Sequence, residues 1–313
     1  MGSRRQTLNL RQGSFSFHGL KLVYYDNGLA GEPFLLTHAN GYCAMAYQFY
    51  IQKLTERGVR VVALDFAGHG LSEGTLKFRN WNFYRDQVLA LVEHLSLQNI
   101  VGLGHSMGGA ALMRAAALNP RKFRAIIALD PTLLFWMALI FMVFFRAPLA
   151  KAAGARRSYF PSREVLERFL RRTMPYRNFS PEALRGYLQF GFQAVGTGYR
   201  LSCSSELEAK NYMTVGTFSL CQYKRLETPV HFILPQKSEV CPLRRAQKIA
   251  QKIPGSTVVS HQDFEHLFPF THPKECWELI TTRPGVLLPP PRLKRSNPSL
   301  SMKTSPQKSQ RVG

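Results

Sequence analysis

The residues best suited to chemistry lie at Gly104-His105-Ser106-Met107-Gly108, a G-x-S-x-G pentapeptide. It directly follows a strand-like run, Ile100–Leu103, and directly precedes an Ala-rich helical run, Met107–Leu118. A serine on so sharp a strand-to-helix turn presents its hydroxyl, and the flanking glycines remove side-chain bulk where the backbone is crowded. The chemistry is nucleophilic attack through a covalent intermediate, for which a serine hydroxyl is weak until a neighbouring base takes its proton. A base and a carboxylate that orients it must therefore come from elsewhere in the chain.

The elements that would carry such a turn are visible on either side. From Phe15 to Asp130, β-rich runs (Phe15–Phe17, Leu20–Tyr25, Phe34–His38, Val59–Leu64, Ile100–Leu103, Ala125–Leu129) give way to helical ones (Ala44–Arg57, Trp81–Leu95, Met107–Leu118). This alternation predicts βαβ units and a parallel sheet, entered through a short hairpin. It resumes with strand-like Val230–Leu234, a helix over Leu243–Lys252, strand-like Thr257–Ser260 and a helix after Pro273. The expected class is α/β, a mostly parallel sheet with helices on both faces, built from residues 12–130 and 227–282.

Residues 131–226 break the alternation and are expected to form an inserted, mostly helical cap. Ser162, before Arg163-Glu164-Val165, and Ser180, before Pro181-Glu182, are read as helix N-caps. The apolar run Leu133–Phe145 has thirteen residues. As a helix it would span only about 20 Å, short of the roughly 30 Å hydrocarbon core, so a buried or interfacial helix is expected instead of a transmembrane one. Residues 283–313, rich in Pro, Ser and Lys, read as a disordered basic tail.

Three ordered motifs resemble those of the α/β-hydrolase fold family across most of residues 15–282. Beside the Ser106 turn, His38-Ala39-Asn40-Gly41 is similar to that family's oxyanion loop, and Asp65-Phe66-Ala67-Gly68-His69-Gly70-Leu71-Ser72 to its D-x-x-G-x-G-x-S turn. The resemblance implies that the backbone N–H groups of Asn40 and Met107 receive the oxyanion, although the family more often has His-Gly where this chain has Ala39-Asn40. It also places the base in the loop after the last strand, at Asp263-Phe264-Glu265-His266-Leu267, which points to His266 and away from His261 and His272. His69 reads as a structural turn residue.

The acid is less sharply marked. The usual family position follows Val230–Leu234 and here falls on Ser238, which cannot stabilise an imidazolium as a carboxylate does. Asp130, at the end of the strand after the Ser106 helix, is expected to be the acid, because the C-terminal ends of such strands face the ligand site. Glu239 is the alternative, and both keep the order Ser, acid, His.

The implied activity is a serine hydrolase, with a carboxylic ester of an apolar acyl or lipid-like group as the expected substrate. Thioester, amide and carbon–carbon hydrolysis stay open, and the rival class is a non-catalytic small-molecule-binding protein on the same fold. No metal or organic cofactor is required. A dinucleotide fingerprint beginning at Gly102-Leu103-Gly104 fails because its third glycine falls on Met107. Ser106 also argues against relatives that attack epoxides or carbon–halogen bonds with a carboxylate.

The 313 residues are 45% hydrophobic, ample for a core, and carry a formal charge of +22. Three basic residues lie among the first eleven, seven with no acid lie in 283–313, and residues 151–200 hold ten basic and three acidic residues. The charge therefore sits on the termini and the cap segment. No nucleic-acid motif accompanies it, so no nucleic-acid partner is expected. The Arg-rich stretch Arg156–Arg177 beside the apolar run suggests peripheral contact with an anionic membrane. Five scattered cysteines without a C-x-x-C pair, and no apolar segment after the N-terminal arginines, lead to the expectation of reduced thiols and a cytoplasmic location.

Overall fold

The computed structural model describes residues 10–133, 148–215 and 225–286. Its frame is an eight-stranded sheet in the order β1-β2-β4-β3-β5-β6-β10-β11. The hairpin β1 (Arg11–Phe17) and β2 (Leu20–Asp26) is antiparallel and joins β4 (Arg60–Leu64) antiparallel. From β4 onward, β3 (Pro33–Thr37), β5 (Ile100–His105), β6 (Phe123–Leu129), β10 (Val230–Pro235) and β11 (Thr257–His261) are all parallel. The central strands are buried at every position, which is why their sequences read as unbroken apolar runs and not as alternating ones.

Two apolar layers enclose the sheet. One includes α2 (Asn82–His94), α3 (Met107–Leu118) and α7 (Leu243–Ala250). The other includes α1 (Gln48–Glu56) and the C-terminal helices α8 (Phe268–Thr271) and α9 (Pro273–Thr281). The helix expected over Ala44–Arg57 divides into a 3-10 turn, Ala44–Tyr47, and α1. The Asp65 carboxylate explains the start of that turn, since it accepts from the Ala44 N–H (2.7 Å) and the Leu71 N–H (3.0 Å). This motif thus ties two loops together. Burial pushes the Asp65 carboxyl up to about 6 against these donors.

Between β6 and β10 the chain leaves the sheet, and residues 148–215 of this excursion are called the cap below. The cap holds α4 (Arg163–Arg172), α5 (Pro181–Phe190) and α6 (Ser205–Met213). Ser162 and Ser180 cap α4 and α5 by accepting from the Val165 and Ala183 N–H groups, as the sequence predicts, and Ser204 does the same for α6. The mostly helical cap also holds a small antiparallel sheet that the sequence reading does not name, of β7 (Tyr159–Phe160), β8 (Phe192–Val195) and β9 (Gly198–Leu201), ordered β7-β9-β8. Its signal was present: Val195 pairs Gly198 around a two-residue turn in which Gly196 has φ 59°, a position suited to glycine.

One expectation shifts at its edge. Residues 283–286 are not part of a disordered tail, because Val286 is buried in the core with Trp277 and Ile280, so the body reaches at least Val286. Apart from Leu133, which is buried, the apolar run ending at Phe145 lies outside the described residues, as do residues 287–313. Among the described residues no helix is long and apolar enough to cross a membrane. Cys43, Cys203, Cys241 and Cys276 are buried free thiols, and Cys221 lies outside the described residues.

Cap and body meet most tightly where Gly186 of α5 lies on the 3-10 turn. A Cβ there would sit 1.9 Å from the Met45 carbonyl oxygen, a backbone atom that cannot swing aside. Gly186→Ala is expected to destabilise the chain by about 1–3 kcal/mol through overpacking. The check is a lower urea midpoint with unchanged denaturant slope.

Candidate active site

Ser106 lies between β5 and α3, with φ 54° and ψ −114°, a conformation that non-glycine residues rarely adopt. The strain is held by close packing of backbone on backbone. A Cβ on Gly104 would stand 2.6 Å from the Gly109 nitrogen, and one on Gly108 would stand 2.5 Å from the Thr37 carbonyl oxygen. Both flanking glycines are therefore demanded by the approach of α3 to β5 and β3. Asp130, directly after β6, is a second non-glycine residue at positive φ (39°). It is 1% exposed.

The structure brings Ser106, His266 and Asp130 into one hydrogen-bonded chain. His266 Nδ1–H donates to Asp130 Oδ2 at 2.6 Å, which leaves Nε2 to accept from the Ser106 hydroxyl at 3.0 Å. His266 occupies the loop between β11 and α8, as the sequence predicts. Glu239 is exposed and makes no hydrogen bond to His266 among the described residues. Of the two candidate acids, Asp130 is the one beside the imidazole. Ser238 bridges the difference: its hydroxyl donates to Asp130 Oδ1 at 2.5 Å and accepts from the Cys241 N–H at 2.9 Å. The position expected to hold an acid instead supports one held by the neighbouring strand.

Several participants have no expression in the sequence motifs. Thr132 lies 3.2 Å from Ser106 Oγ, and since the serine proton points to His266, the threonine donates. His105, next to the serine, donates from Nε2 to the His266 carbonyl (2.8 Å). Its Nδ1 accepts from the Tyr47 hydroxyl (2.7 Å), which in turn accepts from the Ala39 N–H (3.1 Å). Burial, reinforced by the nearby His266, holds the His105 pKa well below its ordinary value, so the ring stays neutral and these directions are fixed. His69 is buried and bonds the Ala67 carbonyl through Nδ1, in keeping with a structural role. His261 and His272 make local contacts with Asp263 and Thr271.

Asn40 follows β3 and lines the same cavity as Ser106, and Met107 directly follows Ser106 in the chain. Met107 is the first residue of α3, where helical N–H groups have no partner one turn back. Among the described residues, no backbone carbonyl accepts from the N–H of Asn40 or Met107. An electron-rich oxygen placed between such donors would be stabilised without any group having to move. The Asn40 side chain is engaged elsewhere, by α6.

Ser106, His266, Asn40 and Thr132 open into a cavity of about 1230 Å³ between body and cap. Its apolar wall includes Phe160, Phe169, Leu170, Phe192 and Leu201 from the cap. Polar side chains line the cavity as well, among them Arg157, Lys237 and Gln262 and an ion pair of Arg156 with Glu208, whose side chains are 22% and 9% exposed. Burial pushes the Glu208 carboxyl up while the adjacent guanidinium draws it back. The arrangement presents a hydroxyl, hydrogen-bonded to an imidazole that is itself held by a carboxylate, to a chamber with a largely apolar cap wall.

Comparison with known proteins agrees with the geometry. A putative non-heme haloperoxidase of Mycobacterium phage D29 is 32% identical over 100 residues, and the match spans 32% of this chain and only 36% of that protein. A bifunctional esterase/perhydrolase of Acinetobacter calcoaceticus is 25% identical over 269 residues, 81% of this chain and 92% of the relative. The crystal structure of an E-2-(acetamidomethylene)succinate hydrolase superposes with a TM-score of 0.75 at 21% identity, covering 88% of this chain and 98% of the other, which shows a shared fold. The model of the alpha/beta hydrolase family matches residues 34–279, from β3 through α9, and so takes in every residue described at the site. The chain belongs to the alpha/beta hydrolase family.

Proposed function

We propose that this chain is a serine hydrolase that cleaves carboxylic esters of apolar acyl groups. The observation that carries the proposal is the Ser106–His266–Asp130 hydrogen-bonded chain, set on a strained serine at the floor of an apolar cavity. Ser106 Oγ attacks the ester carbonyl as its proton passes to His266 Nε2, and Asp130 stabilises the imidazolium through Nδ1. The Asn40 and Met107 N–H groups receive the oxyanion, and collapse of the adduct expels the alcohol with the proton from His266. Water, deprotonated by the same nitrogen, then releases the acid and restores Ser106.

A fluorophosphonate probe is expected to label Ser106 in the folded protein and not the Ser106→Ala variant; a folded but unlabelled wild type would favour a binding protein. Asp130→Asn should lower kcat by about four orders of magnitude, because the imidazole loses its tautomer and its counter-charge. Glu239→Gln should leave turnover within about twofold of wild type. Near-normal turnover of Asp130→Asn would remove Asp130 from the mechanism.

The aromatic and aliphatic cap wall supports the apolar acyl group. Each added methylene buried there contributes about 0.8 kcal/mol, or about fourfold in kcat/KM. A p-nitrophenyl ester series is expected to rise by that step from acetyl towards medium chains, whereas a preference for acetyl would overturn the assignment.

We further propose that the cap rests on an anionic lipid surface. Leu149 and Met174 line the cavity yet are 48% and 49% exposed, which puts them at its opening. Arg157 also lines the cavity, and exposed Arg171 and Arg172 end α4 beside Met174. Exposed apolar side chains with arginines nearby in the chain suit the headgroup boundary of such a surface. Sedimentation is expected with vesicles of phosphatidylcholine containing phosphatidylserine, to weaken in high salt, and to fall with Leu149→Asp/Met174→Asp. Equal binding to pure phosphatidylcholine, or none to either, would contradict it.

A further inference from the structure

The loop after β3 is held from two sides. From below, Ala39 donates to Tyr47. From above, residues 40 and 41 are gripped by the cap. Asn40 Nδ2 donates to the Glu208 carbonyl (3.2 Å), and Asn40 Oδ1 accepts from Asn211 Nδ2 (2.7 Å), both partners belonging to α6. The Gly41 carbonyl accepts from the Tyr187 hydroxyl of α5 (3.2 Å), and Tyr187 accepts from the Arg156 guanidinium (3.0 Å), which also pairs with Glu208. Asn40 is 7% exposed and Asn211 is fully buried.

Asn211 is itself seated against the body. Its Oδ1 accepts from the Tyr84 hydroxyl (2.6 Å), and its backbone carbonyl accepts from Trp81 Nε1 (3.0 Å). Where α6 docks on the α2 region, it therefore presents an amide side chain at a fixed point, and the Asn40 amide side chain meets it. A backbone N–H needs no side chain in order to donate. The Asn40 side chain instead determines where that N–H lies.

We propose that Asn40 and Asn211 form a positioning joint, through which cap helix α6 sets the backbone N–H of residue 40 beside Ser106. This inference rests on the reading of that N–H as an oxyanion donor. The donor is then in register only through the contact of α6 with Asn40, whereas the serine and histidine are held by the body alone. A displacement of about 1 Å in such a group costs roughly 100-fold in rate, so a joint of this kind governs turnover more than binding.

The test compares Asn40→Gly, which keeps the N–H and removes the side chain, with Asn211→Ala and the double variant, using p-nitrophenyl hexanoate. Each single change is expected to lower kcat roughly 10- to 100-fold with KM within about threefold of wild type. The double variant is expected to be no worse than the poorer single, because both remove the same joint. Affinity for hexylboronic acid, whose Ser106 adduct places an oxygen between the donors, should fall by the same factor as kcat, while affinity for hexanoate stays within twofold. If Asn211→Ala does not fold, Asn40→Gly with the two ligands decides alone. Losses confined to KM, equal weakening of both ligands, or additive losses in the double variant would overturn the joint. If Asn40→Gly turns over at the wild-type rate while fluorophosphonate still labels wild-type Ser106, the joint fails and the hydrolase reading stands. If wild-type Ser106 does not label, that reading fails and the joint falls with it.

Discussion

The directed run of hydrogen bonds from Ala39 through Tyr47 and His105 to the His266 carbonyl is what the rest of the site depends on. It ties three segments to one another: the loop after β3, the turn after β5 and the loop after β11. They are far apart in sequence, and nothing in a parallel sheet alone fixes their tips relative to one another. One neutral imidazole and one phenol do so here, with every donor committed to an acceptor. A buried polar run of this kind is costly when half satisfied and rigid when complete. His105 thus serves the base loop through its ring while its backbone forms the end of β5.

Much of this was legible in the chain because strand order and loop position are local properties. The apolar runs mark the strands, Gly104 and Gly108 mark the crowded turn, and the place of His266 after Thr257–His261 and of Asp130 after Phe123–Leu129 follows from where strands end. What escaped is what depends on contacts between distant residues. Nothing near Ser238 announces that its hydroxyl will support a carboxylate 108 positions earlier. The pairing of Asn40 with Asn211 spans 171 positions. His105 and Tyr47 occupy positions at which the motif places no demand. The cap sheet was missed for a different reason: its strands are two to four residues long, too short for periodicity to outweigh the neighbouring helices.

The half-buried Arg156–Glu208 pair shows how a charged group can serve geometry. Taking both charges out of water is expensive, and a pair of this kind often adds little net stability over an apolar replacement. Its neighbours share the burden, since Tyr187 accepts from the guanidinium and the Tyr176 ring lies 6.0 Å from it. The pair links the segment leading into β7 with α6, two parts of the cap that a purely apolar contact would let slide. Most of the chain's net positive charge lies elsewhere, on the rest of the cap segment and the termini.

The strands that bracket the cap excursion, β6 and β10, are hydrogen-bonded neighbours, with Ile126 opposite Val230. The excursion is therefore a loop whose two ends the sheet has already brought together. For a flexible loop, doubling the length costs only about 0.6 kcal/mol in closure entropy. A chamber could then be enlarged, shortened or rebuilt over generations without straining the strands that carry Asp130 and Ser238. The freedom is uneven. Descendants of this chain could vary the hairpin and the arginine-rich helix cheaply, but α6, which reaches back to the loop beside Ser106, would have to be inherited whole.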